Sequence, residues 1–170
     1  DPHVWLDPEN AKAMAAMAAA VLAKADPGNA ATYRANAAAF AGKLDKTSAT
    51  IAAELAPVRD RPFIVFHDAY QYFERRFGLA GAGSISDVSA QAPSAERLGQ
   101  VRDKIISAKA TCVFREPQYD DKVVATVIEG TGAREAVLDP LGATIPPGPD
   151  AYAQIVENLA RSLKDCLSGP

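Results

Sequence analysis

Apolar positions in the first third of the chain recur at helical spacing, framed by residues that start and stop helices. Asp7 followed by Pro8 reads as an N-cap with proline at the first helical position, where its missing N–H costs nothing. The helix it opens is expected to run to about Ala25 and to bury Met14, Met17, Val21 and Leu22, before Asp26-Pro27-Gly28 breaks it. A second stretch sets Tyr33, Ala37, Phe40, Leu44, Ser48, Ile51 and Leu55 at alternating spacings of four and three. That is one face of a helix of about seven turns and roughly 40 Å, ended by Pro57. Residues 1–56 hold 20 of the chain's 35 alanines, which supports helix throughout this part. A helix of that length either joins two lobes or lies across one domain.

From Pro57 onward the texture changes to short β-rich runs alternating with amphipathic helices. The strands read as Phe63–Phe66, Ser84–Val88, Thr111–Phe114 and Glu135–Asp139. The helices read as Ala69–Phe77, with Gly78 beyond the end, then Ser94–Ala108, Asp120–Glu129 and Asp150–Leu167. Helical period is kept by Leu98, Val101 and Ile105, by Val123 and Val127, and by Tyr152, Ile155, Leu159 and Leu163. Four repeats of this alternation predict an α/β fold with an open four-stranded parallel sheet flanked by helices. Ile145-Pro146-Pro147-Gly148-Pro149 reads as a stiff loop without chemistry.

Composition narrows the classes. A chain of 170 residues that is 48% apolar is sized for one ordinary domain with a real core. Eighteen basic against 21 acidic residues give a net charge of −3, no electrostatic footprint for nucleic acid. No apolar run approaches the ~18 residues of a membrane span, so the chain is expected not to be membrane-embedded. It begins at Asp1 with neither Met nor a signal-peptide pattern, as a processed protein or a piece of a longer one would. Cys112 and Cys166 are too far apart for a local metal knuckle. They are either one structural disulfide, implying an oxidising compartment, or two buried thiols.

In an open α/β sheet, ligands bind beyond the carboxyl ends of the strands. His67 and Asp68 follow the first strand there, Glu116 lies two residues past the third, and Asp139 closes the fourth. The other histidine, His3, sits rigidly between Pro2 and the Val4-Trp5 pair, although a segment so near the start of the chain is expected to fray. Imidazole with carboxylate suits a divalent first-row metal: zinc where histidine dominates, manganese or iron where oxygens do. Enzymatic readings are thinner. There is no Gly-x-Ser-x-Gly elbow, Gly81-Ala82-Gly83 and Gly130-Thr131-Gly132 are bare glycine pairs, and Cys112 lies within a strand. A metal-dependent hydrolase would need a dedicated general base, and none is legible.

Four segments in order, DPHVWLDP at residues 1–8, FHDAYQYFERRFGL at 66–79, ATCVFREPQY at 110–119 and LDPLG at 138–142, resemble the periplasmic metal-binding substrate-binding proteins of ABC transporters, most closely their zinc-binding members. The resemblance implies two α/β lobes joined by one rigid helix, with the metal in the cleft between them. Residues 29–56 would then be that helix, 57–170 the C-terminal lobe, and 1–28 the end of an N-terminal lobe whose remainder, with a further histidine ligand, lies outside this sequence. It also implies that His3 and His67 are metal ligands and that Asp139 ligates or lies beside the metal. Asp68 and Glu116 are, by their position, candidates for outer residues that orient the rings. Cys112 and Cys166 match cysteines that pair as a disulfide in the zinc subgroup. The function implied is a receptor, not an enzyme, that captures Zn²⁺ in the periplasm and delivers it to a membrane permease; a manganese or iron receptor is the alternative.

Overall fold

The computed structural model of the protein describes residues 1–87, 93–120 and 122–169. A short 3₁₀ turn, Val4–Leu6, leads into α1, Pro8–Ala25. Asp7 caps α1 through its side chain, which accepts from the Glu9 N–H at 2.9 Å. The boundaries of α1 are those expected, but its buried face is not. Met14, Met17, Val21 and Leu22 are exposed by 46–70%, while Ala11, Ala19 and Ala23 are buried. The reason is the neighbour: α1 packs along α2, Ala30–Leu55, and Ala16 and Ala19 line one crevice with Ala37, Ala38 and Ala41. Small side chains on both helices permit close axial approach, and the larger apolar row is turned outward. Met17→Ser is therefore expected to change unfolding free energy by less than about 0.5 kcal/mol, whereas Ala19→Leu overpacks the seam and costs about 1–3 kcal/mol. Urea denaturation of the two variants checks this, and equal losses would contradict it.

The face expected of α2 is the one turned inward, and it is buried in a graded way. Tyr33, Ala37 and Phe40 are half-buried, whereas Leu44, Ile51 and Leu55 are fully covered. Cover for the second half comes from α6, Ala151–Ser168, whose buried residues include Val156, Leu159, Leu163 and Leu167.

Four parallel strands, β1 (Phe63–His67), β2 (Gly81–Ser86), β3 (Cys112–Arg115) and β4 (Arg134–Val137), lie in the order β2-β1-β3-β4. Phe63 and Val65 face one core with Cys112 and Phe114, under α2, α6 and α3, Gln71–Phe77. Ile64 and Phe66 face the other with Val113, under α4 (Ala95–Ala108) and α5 (Lys122–Ile128). Covered faces on both sides explain why β1 is an unbroken apolar run rather than an alternating one.

Several boundaries differ from expectation. β2 starts three residues early, in a glycine-rich stretch, and Val88, its expected end, lies outside the described residues. Glu74 of α3 packs its carboxylate against the start of β2: a Cβ on Gly81 would lie 2.4 Å from Oε2 of Glu74, which would have to move aside. β4 stops at Val137, leaving Asp139 two residues beyond it, and β1 runs on through His67. α3 begins at Gln71 rather than Ala69 and ends as expected at Gly78, in the left-handed region at φ 67°. α4 is capped by the Ser94 hydroxyl, which accepts from the Arg97 N–H at 3.2 Å. Asp121, within the expected span of α5, is outside the described residues.

Both outer strands carry side-chain donors on their carbonyls. Arg97 donates to Ile85 and Ser84 on β2 at 3.0 and 2.7 Å, and the Ser162 hydroxyl donates to Val137 on β4. Cys112 and Cys166 are joined in a disulfide that ties β3, inside the sheet, to the last turns of α6. Among the described residues, no helix is long and apolar enough to cross a membrane.

Candidate metal centre

The carboxyl ends of β1 and β3 place two side chains in contact across 49 residues of sequence. His67, the last residue of β1, donates Nδ1–H to Oε1 of Glu116, just past β3, at 2.6 Å. Both are almost wholly buried, at 4% and 1% exposure. An ionised carboxylate only accepts, so this bond leaves Nε2 of His67 as a bare lone pair. Aromatic rings fix the imidazole further. Tyr70 and Tyr119 meet it edge-on with centroids at 6.3 and 5.7 Å, and Tyr119 is itself stacked on Phe66. Burial, and the charge of Glu116 after it, hold the Tyr70 hydroxyl well above the usual phenol range, so it stays protonated beside the carboxylate.

His3 arrives from the other direction. Its Nε2 lies 3.3 Å from Nε2 of His67, and the rings meet edge-on at 5.0 Å. Its Nδ1 lies 2.7 Å from Oδ1 of Asp1, which repeats at the second histidine the arrangement Glu116 makes at the first. The segment is not the frayed arm expected from its position. Leu6 is fully buried, Trp5 donates Nε1–H to the Pro140 carbonyl at 3.1 Å, and Tyr152 donates its hydroxyl to the Trp5 carbonyl at 2.7 Å. Arg76 of α3 grips both oxygens of Asp7 at 2.7 and 2.8 Å. These anchors outweigh the freedom of a terminus because an apolar plug and a bidentate pair act within four residues of His3.

With the ring protons on both Nδ1 atoms, the two Nε2 lone pairs at 3.3 Å repel unless a cation lies between them. A tetrahedral ion with nitrogens at about 2.0–2.1 Å sets two of them roughly 3.3–3.4 Å apart, so the spacing fits such an ion without rearrangement of the rings. Burial, followed by the charge of His67, lowers the pKa of His3, which favours the neutral, ligating imidazole. The carboxylates of Glu116 and Asp68 act in the opposite direction.

The other expected residues sit differently. Asp68 is exposed, and it acts on His3 through its charge. Asp139 accepts on both oxygens: Oδ1 from the N–H of Leu141 and Gly142 and from the Gln118 side chain, and Oδ2 from the N–H of Ala143. Among the described residues, no group of three or more His, Cys, Asp or Glu is arranged to hold a metal ion. Sequence reasoning gave no role to Asp1, Tyr70 or Tyr119. A signal for Asp1 was present, because the chain has four Asp-Pro dipeptides. In three of them, Asp1-Pro2, Asp7-Pro8 and Asp139-Pro140, the carboxylate accepts the N–H of the residue after proline. Proline supplies no competing N–H and fixes the bend that brings the next one within reach.

A family model described as ZnuA, "Zinc-uptake complex component A periplasmic", matches residues 1–166. The High-affinity zinc uptake system protein ZnuA of Brucella suis biovar 1 is 58% identical over 168 residues, covering 99% of this chain and 50% of that protein. Its counterpart in Paracoccus denitrificans is 42% identical over 168 residues, covering 98% and 52%. The chain thus spans about half the length of the curated relatives it matches. Among solved structures, a crystal structure of ZnuA superposes with TM-score 0.83 at 34% identity, covering 98% of this chain and 60% of that one. The laminin-binding adhesin Lmb of Streptococcus agalactiae superposes with TM-score 0.88 at 29% identity, covering 98% and 63%.

Proposed function

The chain belongs to the ZnuA family of periplasmic zinc-uptake components, and from that premise we propose that it forms the metal-gripping half of a receptor that captures Zn²⁺. The observation that carries the reading is the facing pair of Nε2 atoms on His3 and His67, each ring backed by a carboxylate on Nδ1. Nitrogen donors favour zinc over manganese or iron, which prefer oxygen-rich sites. His3 and His67 are the nitrogen donors from this chain, and the positions that they and Asp139 leave are filled by the part of the receptor for which the longer relatives have room. Glu116 orients His67. Asp139 holds the Pro140 loop on which Trp5, and with it His3, is anchored, and its Oδ2, which accepts a single backbone N–H, keeps a lone pair with which it can join the metal. Helix α2 is the strut between the two lobes, residues 1–28 continue from the first lobe, and the receptor works in the periplasm, handing its cargo to the membrane permease of an ABC transporter. Capture and release need no bond chemistry, so the receptor is not an enzyme.

Competition of the chain with a chromophoric chelator for zinc tests the reading. Loss of an orienting partner alone costs about 10–100-fold in metal affinity, so His67→Ala and His3→Ala are each expected to cost at least that. Manganese is expected to compete poorly. Zinc affinity unchanged in His67→Ala would place the cargo elsewhere.

A further inference from the structure

We propose that Asp1 is a positioning residue that fixes the proton of His3 on Nδ1 and so keeps the two histidines from satisfying one another; this rests on the zinc reading above. The side chain of Asp1 is only 2% exposed. A single oxygen, Oδ1, accepts from both the backbone N–H of His3 at 2.8 Å and its ring Nδ1 at 2.7 Å. Backbone and ring of one residue are therefore held from one point, across a proline that fixes the intervening φ.

At Asp7-Pro8-Glu9 and Asp139-Pro140-Leu141 the same turn forms, but there the third residue brings only its backbone N–H to the carboxylate. At Asp1-Pro2-His3 the third residue brings a second donor.

The consequence lies 3.3 Å away. A neutral imidazole carries one ring proton, on either nitrogen. If His3 carried it on Nε2, that N–H would donate to the bare Nε2 of His67, whose own proton is committed to Glu116. The pair would then be closed by an internal hydrogen bond that an incoming cation must break. Asp1 removes this alternative by making Nδ1 the better place for the proton, which leaves both lone pairs directed at the space a cation would occupy. Asp1 touches no cargo in this scheme; it acts through His3.

The test is two-bond ¹H–¹⁵N correlation of the histidine rings in the metal-free chain above pH 8, paired with zinc competition. Wild type is expected to show His3 with its proton on Nδ1. Asp1→Ala is expected to move that proton to Nε2 and to weaken zinc binding by about 10–100-fold. Asp1→Asn, whose amide oxygen still accepts, is expected to keep the wild-type tautomer and bind near wild type. An unchanged tautomer in Asp1→Ala, or an Asp1→Asn ring spectrum that matches Asp1→Ala, overturns the proposal. If wild type binds no zinc while the tautomer still switches, the cargo reading fails and the positioning role of Asp1 stands.

Discussion

Urea unfolding in the presence of a thiol reductant is expected to begin from a native state about 4 kcal/mol less stable than under oxidising conditions. Cys112 and Cys166 are 54 residues apart, and closing a loop of that size removes conformational freedom chiefly from the unfolded chain. The fold itself should survive reduction. α6 still buries seven side chains, from Ala153 to Leu167, against α2 and the sheet. Both cysteines are buried, at 0% and 8% exposure, so native protein should be reduced slowly and unfolded protein quickly. Coincident unfolding midpoints with and without reductant would remove the disulfide from the stability of this domain. Two free thiols titrated in unreduced, unfolded protein would remove the bridge altogether.

Replacing Glu74 with Gln is expected to stabilise the chain at pH 8 and to have little effect at pH 5. Burial against β2, and the charge of Asp68 after it, push the Glu74 carboxyl up to about 7 from an ordinary 4.5. The unfolded chain therefore releases this proton first. Between these two values the native state holds more protons than the unfolded state, and stability falls as pH rises. At about 1.4 kcal/mol per pH unit, the charged form costs the native state on the order of 3 kcal/mol above pH 7, and below about 4.5 the penalty is absent. Glutamine keeps the shape beside Gly81 without the charge. Denaturant midpoints of wild type and Glu74→Gln at the two pH values check the sign, and a difference that does not change with pH would show that Glu74 does not titrate in this range.

How far these features could be read from sequence depended on how local their causes were. β1 and β3 announced themselves because a strand covered on both faces must be continuously apolar. The start and stop of α1 were legible from Asp7-Pro8 and Asp26-Pro27-Gly28, which act through their own backbone. Its buried face was not, because alanine has little hydrophobic weight, and period alone does not say whether a neighbour will pack against alanines or methionines. β2 was misplaced at its start because Gly81-Ala82-Gly83 carries little strand signal of its own, and its pairing with β1 puts it in the sheet. At the metal centre, the rule of strand ends found His67 and Glu116, and Glu116 was expected to orient a ring, without a sign of which one. The same rule, with the resemblance, set Asp139 at the site, and neither showed that its oxygens also accept the N–H groups of the loop that follows it.

An open sheet has two sides along which a further strand could be added, and here both are partly closed. Arg97 occupies carbonyls of Ser84 and Ile85, and Ser162 occupies that of Val137. A strand from a neighbouring molecule would have to displace a guanidinium on one side or a hydroxyl on the other before the first rung of a shared ladder could form. Copies of the chain crowded together are thereby discouraged from growing through their sheets into the stacked-strand deposits that unguarded edges nucleate. The protection comes from two helices that stay folded around the sheet, so it lasts only as long as they do.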